Sequence, residues 1–246
     1  MIELSKVRKV FEGPGGEPVV AVDDVDLRVE AGEILCLIGT SGCGKTTTMK
    51  LINRLIEPTE GVVRIAGEDI RQRDTIELRR GIGYVIQKGG LFPHMTIARN
   101  VGLVAELAGW EEDRRRRRVA ELLELVNLPA ETFGARFPHE LSGGQRQRVG
   151  VARALTLDPP IVLMDEPFGA LDPITRRQLH QEFKQLQREV SKTIIIVTHD
   201  MAEAFELGDS VALMHQGRIL QRGQEADFRA APADDYVRTF LESHLS

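Results

Sequence analysis

The chain has 246 residues, 28% of them charged and 42% hydrophobic, and a formal net charge of −5 at pH 7. That length buries a substantial core without division into independent folding units, and the composition excludes a disordered chain. The acidic balance argues against a nucleic-acid partner, no apolar run approaches the ~20 residues that cross a bilayer, and the N-terminal residues, with acidic Glu3, lack a secretory core. A cytosolic protein is expected. Its two cysteines, Cys36 and Cys43, offer no metal-ligand spacing and suit a reducing compartment.

Residues 2–11 and 20–29 alternate apolar and polar side chains, as antiparallel strands do, and a glycine- and proline-rich turn over 13–18 joins them. Residues 34–38 are a short apolar run, the form of a strand buried on both faces. Gly39-Thr40-Ser41-Gly42-Cys43-Gly44-Lys45-Thr46 follows at once and fits the phosphate-cradling pattern G-x-x-x-x-G-K-[ST]. Glycines let the backbone curl until several N–H groups face one point, and the next helix adds its positive end. A nucleoside triphosphate is the expected ligand, with Lys45 reaching the β- and γ-phosphates and the Thr46 hydroxyl offered to Mg2+. Thr47 and Thr48 begin a helix whose apolar positions, Met49, Leu51, Ile52 and Leu55, are expected to pack on a sheet. The position of Cys43 near that helix end favours alkylation of its thiol, and bound nucleotide is expected to shield it.

Further strands are predicted over 61–65, 82–86, 161–164, 193–197 and 210–214, with a hairpin turn at Gly217. The four buried runs, 34–38, 82–86, 161–164 and 193–197, each end on polar residues: the phosphate loop, Gln87, Asp165-Glu166 and Thr198-His199-Asp200. In open α/β sheets ligands bind beyond the carboxyl ends of the strands, so these four endings are expected to converge on one site. Asp165 could hold Mg2+ through its water shell. Glu166, pointing the other way by strand alternation, could face the γ-phosphate and polarise a water. Taken alone, the pair also fits surface acids that terminate a strand.

Between Gln87 and Pro160 the pattern turns helical, over 98–107, 119–125 and 149–155. Arg114 to Arg118 lie in a helical segment, 111–126, and read as its solvated face. Leu141-Ser142-Gly143-Gly144-Gln145 precedes the 149–155 pattern; Ser142 and Gln145 have capping-box spacing, which by itself accounts for the segment. A capping box does not require two glycines, however, and Gly143-Gly144 leaves bare N–H groups at a positive helix end, a second anion site.

These segments, with Ala170-Leu171-Asp172 and His199 in order behind them, give the chain a resemblance, over essentially its whole length, to the ATPase subunit of an ATP-binding-cassette (ABC) transporter. Leu141 to Gln145 resembles that family's signature sequence. The resemblance implies a single α/β domain: a RecA-like P-loop NTPase core with an N-terminal antiparallel β subdomain (1–87 and 160–224), an inserted α-helical subdomain with the signature (88–159), and a tail helix (225–246). It implies that ATP is sandwiched between two copies, the phosphate loop of one facing the Ser142 segment of the other. Carried across residue by residue, Phe11 would stack on adenine, although a lone strand aromatic is equally at home in a core. Gln87 would touch Mg2+ and the attacking water, His199 would contact the γ-phosphate, and Asp172 would lie at the interface between copies.

Residues 91–96, Leu-Phe-Pro-His-Met-Thr, are similar to the segment by which bacterial importer ATPases touch their membrane subunit, and on their own fit an exposed loop with incidental apolar residues. The sequence over 82–101 most resembles importers of quaternary amines such as glycine betaine, choline or carnitine. The expected partners are polytopic permease subunits near Gln87 to Thr96, a second ATPase copy, and a periplasmic or lipid-anchored solute-binding protein, at the cytoplasmic face of the membrane. Other ABC systems, an exporter or lipid transporter among them, share the ATP chemistry; soluble cassette proteins of DNA repair or translation usually fuse two cassettes or carry a long coiled coil, which this sequence lacks. Many ATPases of the quaternary-amine branch continue into paired regulatory modules of the cystathionine-β-synthase type, whereas this sequence ends at Ser246, so sensing by such modules is not carried over. Phe228, Tyr236, Val237, Phe240 and Leu241 predict instead a tail helix over 225–245 that covers the core.

Overall fold

The computed structural model describes residues 1–87, 90–169, 176–177, 180–184 and 192–244. The chain divides into two compact units, Met1–Arg79 with Thr193–Ser246, and Arg80–Lys192. The first unit opens with β1 (Ile2–Glu12), β2 (Pro18–Val29), β3 (Ile34–Ile38), α1 (Lys45–Ile52), β4 (Glu60–Ile65), β5 (Glu68–Asp69) and α2 (Thr75–Arg80). The second contributes β6 (Ile82–Val85), α3 (Ile97–Leu107), α4 (Glu112–Leu125), α5 (Ala130–Phe133), α6 (Gly143–Ala154) and β7 (Ile161–Asp165). The chain then returns to the first unit with β8 (Thr193–Val197), α7 (Met201–Leu207), β9 (Ser210–His215), β10 (Arg218–Gly223), α8 (Glu225–Ala230) and α9 (Asp235–His244).

Within the first unit β2, β1, β4 and β5 form an antiparallel sheet in that order. Its period of two is visible in what is buried: Ile2 and Leu4 on β1, Leu27 and Val29 on β2, Val63 and Ile65 on β4. In the same unit β3 pairs parallel with both β8 and β9, and β10 closes that edge antiparallel to β9. Every residue of β3 and of β8 is buried, which is why these strands read as unbroken apolar runs rather than alternating ones. Burying each such aliphatic side chain contributes roughly 1.5–3 kcal/mol. β10 is harder to see in sequence because it is half polar; its arginines fasten it, Arg218 to Asp23 at 2.6 Å and Arg222 to Glu33 at 2.5 Å.

In the second unit β6 and β7 pair parallel, Ile82 with Ile161 through Val85 with Met164. Helices α3 and α4 bury one stripe each, including Ile97, Val101 and Ala105 on α3, and Val119, Leu122 and Leu123 on α4, whereas α6 is buried all round from Val149 to Ala154. The arginine run on α4 is spent largely on its own unit. Arg114 lies over the Trp110 ring at 3.6 Å, Arg116 pairs with Glu112 at 2.8 Å, and Arg118 donates to the Leu155 carbonyl at 3.0 Å.

The tail departs from the single predicted helix. Two helices form, α8 and α9, and the break falls at Ala231, whose backbone is non-helical (φ −145°, ψ 74°). Pro232 is the cause, since a residue before proline is forced out of the α region. The covering role is met: Phe228, Val237, Phe240 and Leu241 are buried, and Tyr236 stacks on His215 with ring centroids 3.7 Å apart. Leu55 is a second departure. Helix α1 ends at Ile52 and Leu55 is 45% exposed, so it does not pack with Met49, Leu51 and Ile52. Among the described residues, no helix is long and apolar enough to cross a membrane.

Candidate nucleotide site

The phosphate loop, residues 39–46, follows β3 directly and runs into α1. Two of its glycines admit no side chain. Gly39 has φ 144° and an added Cβ would sit 2.1 Å from the Met214 carbonyl oxygen; Gly44 has φ 111° and its Cβ would meet the Ala21 oxygen at 2.4 Å. The loop is therefore pressed against β9 and β2 through bare backbone. Gly44 also occupies the N-cap position of α1, where it supplies no side-chain acceptor. Lys45 is buried, and its Nζ donates to the Gly39 oxygen at 2.6 Å and the Thr40 oxygen at 2.9 Å, holding the loop over its own carbonyls. From behind, the Gly217 N–H in the β9–β10 turn donates to the Cys43 oxygen at 2.9 Å.

Cys43 itself faces inward. It is 4% exposed, with Sγ 3.7 Å from Lys45 Nζ, so the expectation of a readily alkylated thiol does not hold: the side chain is packed inside the loop. Thr46 and Thr47 are half-buried at the start of α1, while Thr40, Ser41 and Gly42 are exposed at the loop tip. In the same unit His199 is exposed just beyond β8, ahead of α7, whose N-cap Asp200 accepts from the Glu203 N–H at 3.0 Å. Phe11 is 40% exposed near the end of β1, with Lys9 Nζ 5.0 Å from its ring centre, which removes the reading of it as a core aromatic.

In the second unit, Asp165 is the buried last residue of β7. Glu166, the residue after it, takes a left-handed backbone conformation (φ 45°). Gln87 Nε2 donates to Glu166 Oε2 at 2.7 Å, which brings these two predicted residues together. Tyr84, on the neighbouring strand, has its hydroxyl pushed up to about 12 by burial and, secondarily, by the Asp165 carboxylate. Ser142 caps α6 as expected: its Oγ accepts from the Gln145 N–H at 3.2 Å and the Gln145 side chain accepts from the Ser142 N–H at 2.9 Å. Ser142 and Gly143 are exposed, Gly144 is buried and Gln145 is half-buried. Ala170, Leu171 and Asp172 lie outside the described residues.

Residues 91–96 form an ordered turn. Phe92, Pro93 and His94 are exposed, the Phe92 and His94 rings meet edge-on at 6.0 Å, and the turn is tied to the buried side chain of Asn100 on α3. Sequence reading passed over Asn100; the signal available was an amide inside the stripe Ile97, Val101, Ala105, where an apolar residue belongs.

A glycine cradle opening a helix behind a buried strand, together with a capped diglycine helix start, defines a nucleotide-binding cassette. Residues 22–169 match the ABC transporter family. Over 241 residues, 98% of the chain, it is 54% identical to the glycine betaine/carnitine/choline transport ATP-binding protein OpuCA of Bacillus subtilis, covering 62% of that protein. It is 49% identical to the osmoprotectant import ATP-binding protein OsmV of Salmonella typhimurium, covering 63% of it. With the glycine betaine uptake system ATP-binding protein YehX of Escherichia coli it shares 48% identity and spans 76% of that relative. The chain thus spans less than two thirds of OpuCA and OsmV. Among solved structures it is similar to the dimeric ATP-binding cassette MJ0796 in a post-hydrolysis state bound to ADP and Pi, with a TM-score of 0.81 and 36% identity over 91% of this chain and 98% of that one. The chain belongs to the ABC transporter family, with that family's mixed α/β fold: an antiparallel β sheet and helical insertions.

Proposed function

We propose that this chain binds ATP with Mg2+, hydrolyses it between two copies of itself, and so energises an importer of quaternary-amine solutes of the glycine betaine, choline and carnitine type. The observation that carries the nucleotide assignment is the phosphate loop, where Gly39 and Gly44 leave no room for a side chain and α1 begins at Lys45. The solute class is supported by the names of OpuCA, OsmV and YehX. The cassette core, the helical insert with its signature and the covering tail serve as parts of one ATPase domain in this reading.

Lys45 and the loop N–H groups of Gly42, Gly44, Thr46 and Thr47, with Gly39, Thr40, Ser41 and Cys43 shaping the mouth, hold the triphosphate, and Phe11 offers its exposed ring to the base. The Mg2+ site would be made by the Thr46 hydroxyl, the Gln87 amide oxygen and the Asp165 carboxylate. These are hard oxygen donors in the small number that Mg2+ takes from protein when phosphate and water complete its shell. Bound there, Mg2+ supplies charge neutralisation at the transferring phosphoryl group. Glu166 orients and polarises the attacking water, with Gln87 holding its carboxylate at 2.7 Å, and His199 donates to the γ-phosphate oxygens. Ser142, Gly143, Gly144 and Gln145 present the α6 end to the nucleotide of the partner copy.

Closing two copies on ATP performs the work only as far as ATP favours the closed pair; inverting a 99:1 ratio takes about 5.5 kcal/mol. The exposed turn at 91–96 passes that motion to polytopic permease subunits, at the cytoplasmic face of the membrane, and a solute-binding protein delivers the cargo outside. No nucleic acid takes part. The test is uptake of labelled glycine betaine by vesicles containing the chain with its copurified membrane subunits. ATP-dependent accumulation is expected, and ATP hydrolysis without uptake of glycine betaine, choline or carnitine would sink the solute assignment.

A further inference from the structure

A carboxamide has one acceptor oxygen and two N–H donors, and burying it without partners costs more than most single contacts return. Asn100 is 0% exposed on α3, and its partners are all on one turn. Oδ1 accepts from the Phe92 N–H at 2.8 Å, while Nδ2 faces the carbonyl oxygens of Phe92, Met95 and Thr96, each at 3.1 Å. The side chain thus adds to the turn's own backbone hydrogen bonds, from the Met95 N–H to the Phe92 oxygen at 3.2 Å and from the Asn100 N–H to the Thr96 oxygen at 2.8 Å. The base of the turn is fixed as well: Thr96 Oγ1 accepts from the Arg99 N–H at 3.3 Å, and the Ile97 and Ala98 N–H groups donate to the Arg136 and Gly134 oxygens at 2.8 and 2.9 Å. Ile97, Val101 and Ala105, buried beside Asn100, anchor α3 in its unit. What this framework holds out is an exposed edge of Phe92, Pro93 and His94.

We infer that Asn100 is the positioning residue of the permease-facing turn: its buried amide holds the 92–96 backbone so that the Phe92–Pro93–His94 edge meets the membrane subunit in one conformation. This rests on the proposed docking role of residues 91–96. A turn that transmits closure must not yield when loaded, and a side chain that ties one N–H and three carbonyls of a single turn to a packed helix provides that stiffness. Asp at this position would keep the acceptor for the Phe92 N–H and the volume, yet would set an oxygen against three carbonyl oxygens.

The test uses the full chain with the membrane subunits that copurify with it, comparing wild type, Asn100→Asp and the surface double variant Phe92→Ala/His94→Ala. Hydrogen exchange reads the amides of 92–98 against those of β6 and β7, and the ratio of permease-stimulated to unstimulated hydrolysis reads coupling. A general loss of fold lowers both hydrolysis rates together, whereas loss of positioning lowers the ratio. Asn100→Asp is expected to speed exchange at the turn about tenfold and to lower the ratio as the surface double variant does. Should Asn100→Asp not accumulate as folded protein, Asn100→Ser, which retains one polar group in less volume, makes the same comparison. Unchanged exchange in the Asn100 variant, or loosened exchange with a wild-type ratio while the surface variant is uncoupled, overturns the role of Asn100 and leaves the docking reading standing. A wild-type ratio in the surface double variant overturns the docking reading itself, and the inference with it.

Discussion

Glu166 shows how much a single backbone torsion decides. The residue turns left-handed at φ 45° directly after β7, and its Oε2 comes to rest 2.7 Å from the Gln87 amide. Replacing it with Gln keeps the shape and removes the base, so Glu166→Gln is expected to lower phosphate release under saturating ATP and Mg2+ by ~10²–10⁴-fold. Turnover within a few-fold of wild type would remove Glu166 from the role proposed for it. Cys43 makes the complementary case. Its thiol is buried beside Lys45, so labelling of native chain by a maleimide is expected to be slow with or without ATP and fast only after unfolding. The motif residues were legible in sequence because G-x-x-x-x-G-K-T constrains backbone as well as side chain. The inward turn of Cys43 and the bonds of Asn100 were not, because a side chain's direction follows from the folded backbone around it and not from a residue pattern.

At the scale of elements, the buried strands were the most legible part. Ile34–Ile38 is apolar throughout, and Thr193–Val197 at every position but its first, because both faces are covered, and the strands form at those bounds. Less legible were the half-polar β10, which is fastened by ion pairs to Asp23 and Glu33 far away in sequence, the turn at Pro232 that divides α8 from α9, and the short helices α2 and α5. The β10 edge carries a pH-dependent clasp. Burial raises the Glu33 carboxyl, but the Ser210 hydroxyl, the Glu30 N–H and the Arg222 guanidinium together hold it below the ordinary 4.5. A carboxyl lowered by folding stabilises the fold above its ordinary value, and that contribution is lost as pH falls through the lowered one. Glu33→Gln is therefore expected to cost about 1 kcal/mol near neutral pH, with the gap to wild type narrowing below pH 4.5. A gap that is constant from pH 7 down to acid unfolding, measured by urea denaturation, would remove the clasp from the account.

At the scale of the whole molecule, the proposed mechanism needs a second copy, since the capped start of α6 is assigned to a nucleotide held by another chain. The relatives OpuCA and OsmV continue well beyond the length matched here, so what their remaining residues do is not carried to this chain. The family likeness, by contrast, covers 98% of the chain in the OpuCA comparison, which is why the assignment to a cassette survives where single residues needed correction. The most direct measurement is the mass of the Glu166→Gln chain in solution, with and without saturating ATP and Mg2+. The account predicts one chain without nucleotide, and with it a pair of chains holding two ATP molecules that comes apart when ATP is removed. A single chain at saturating ATP, with its nucleotide fully bound, would contradict it.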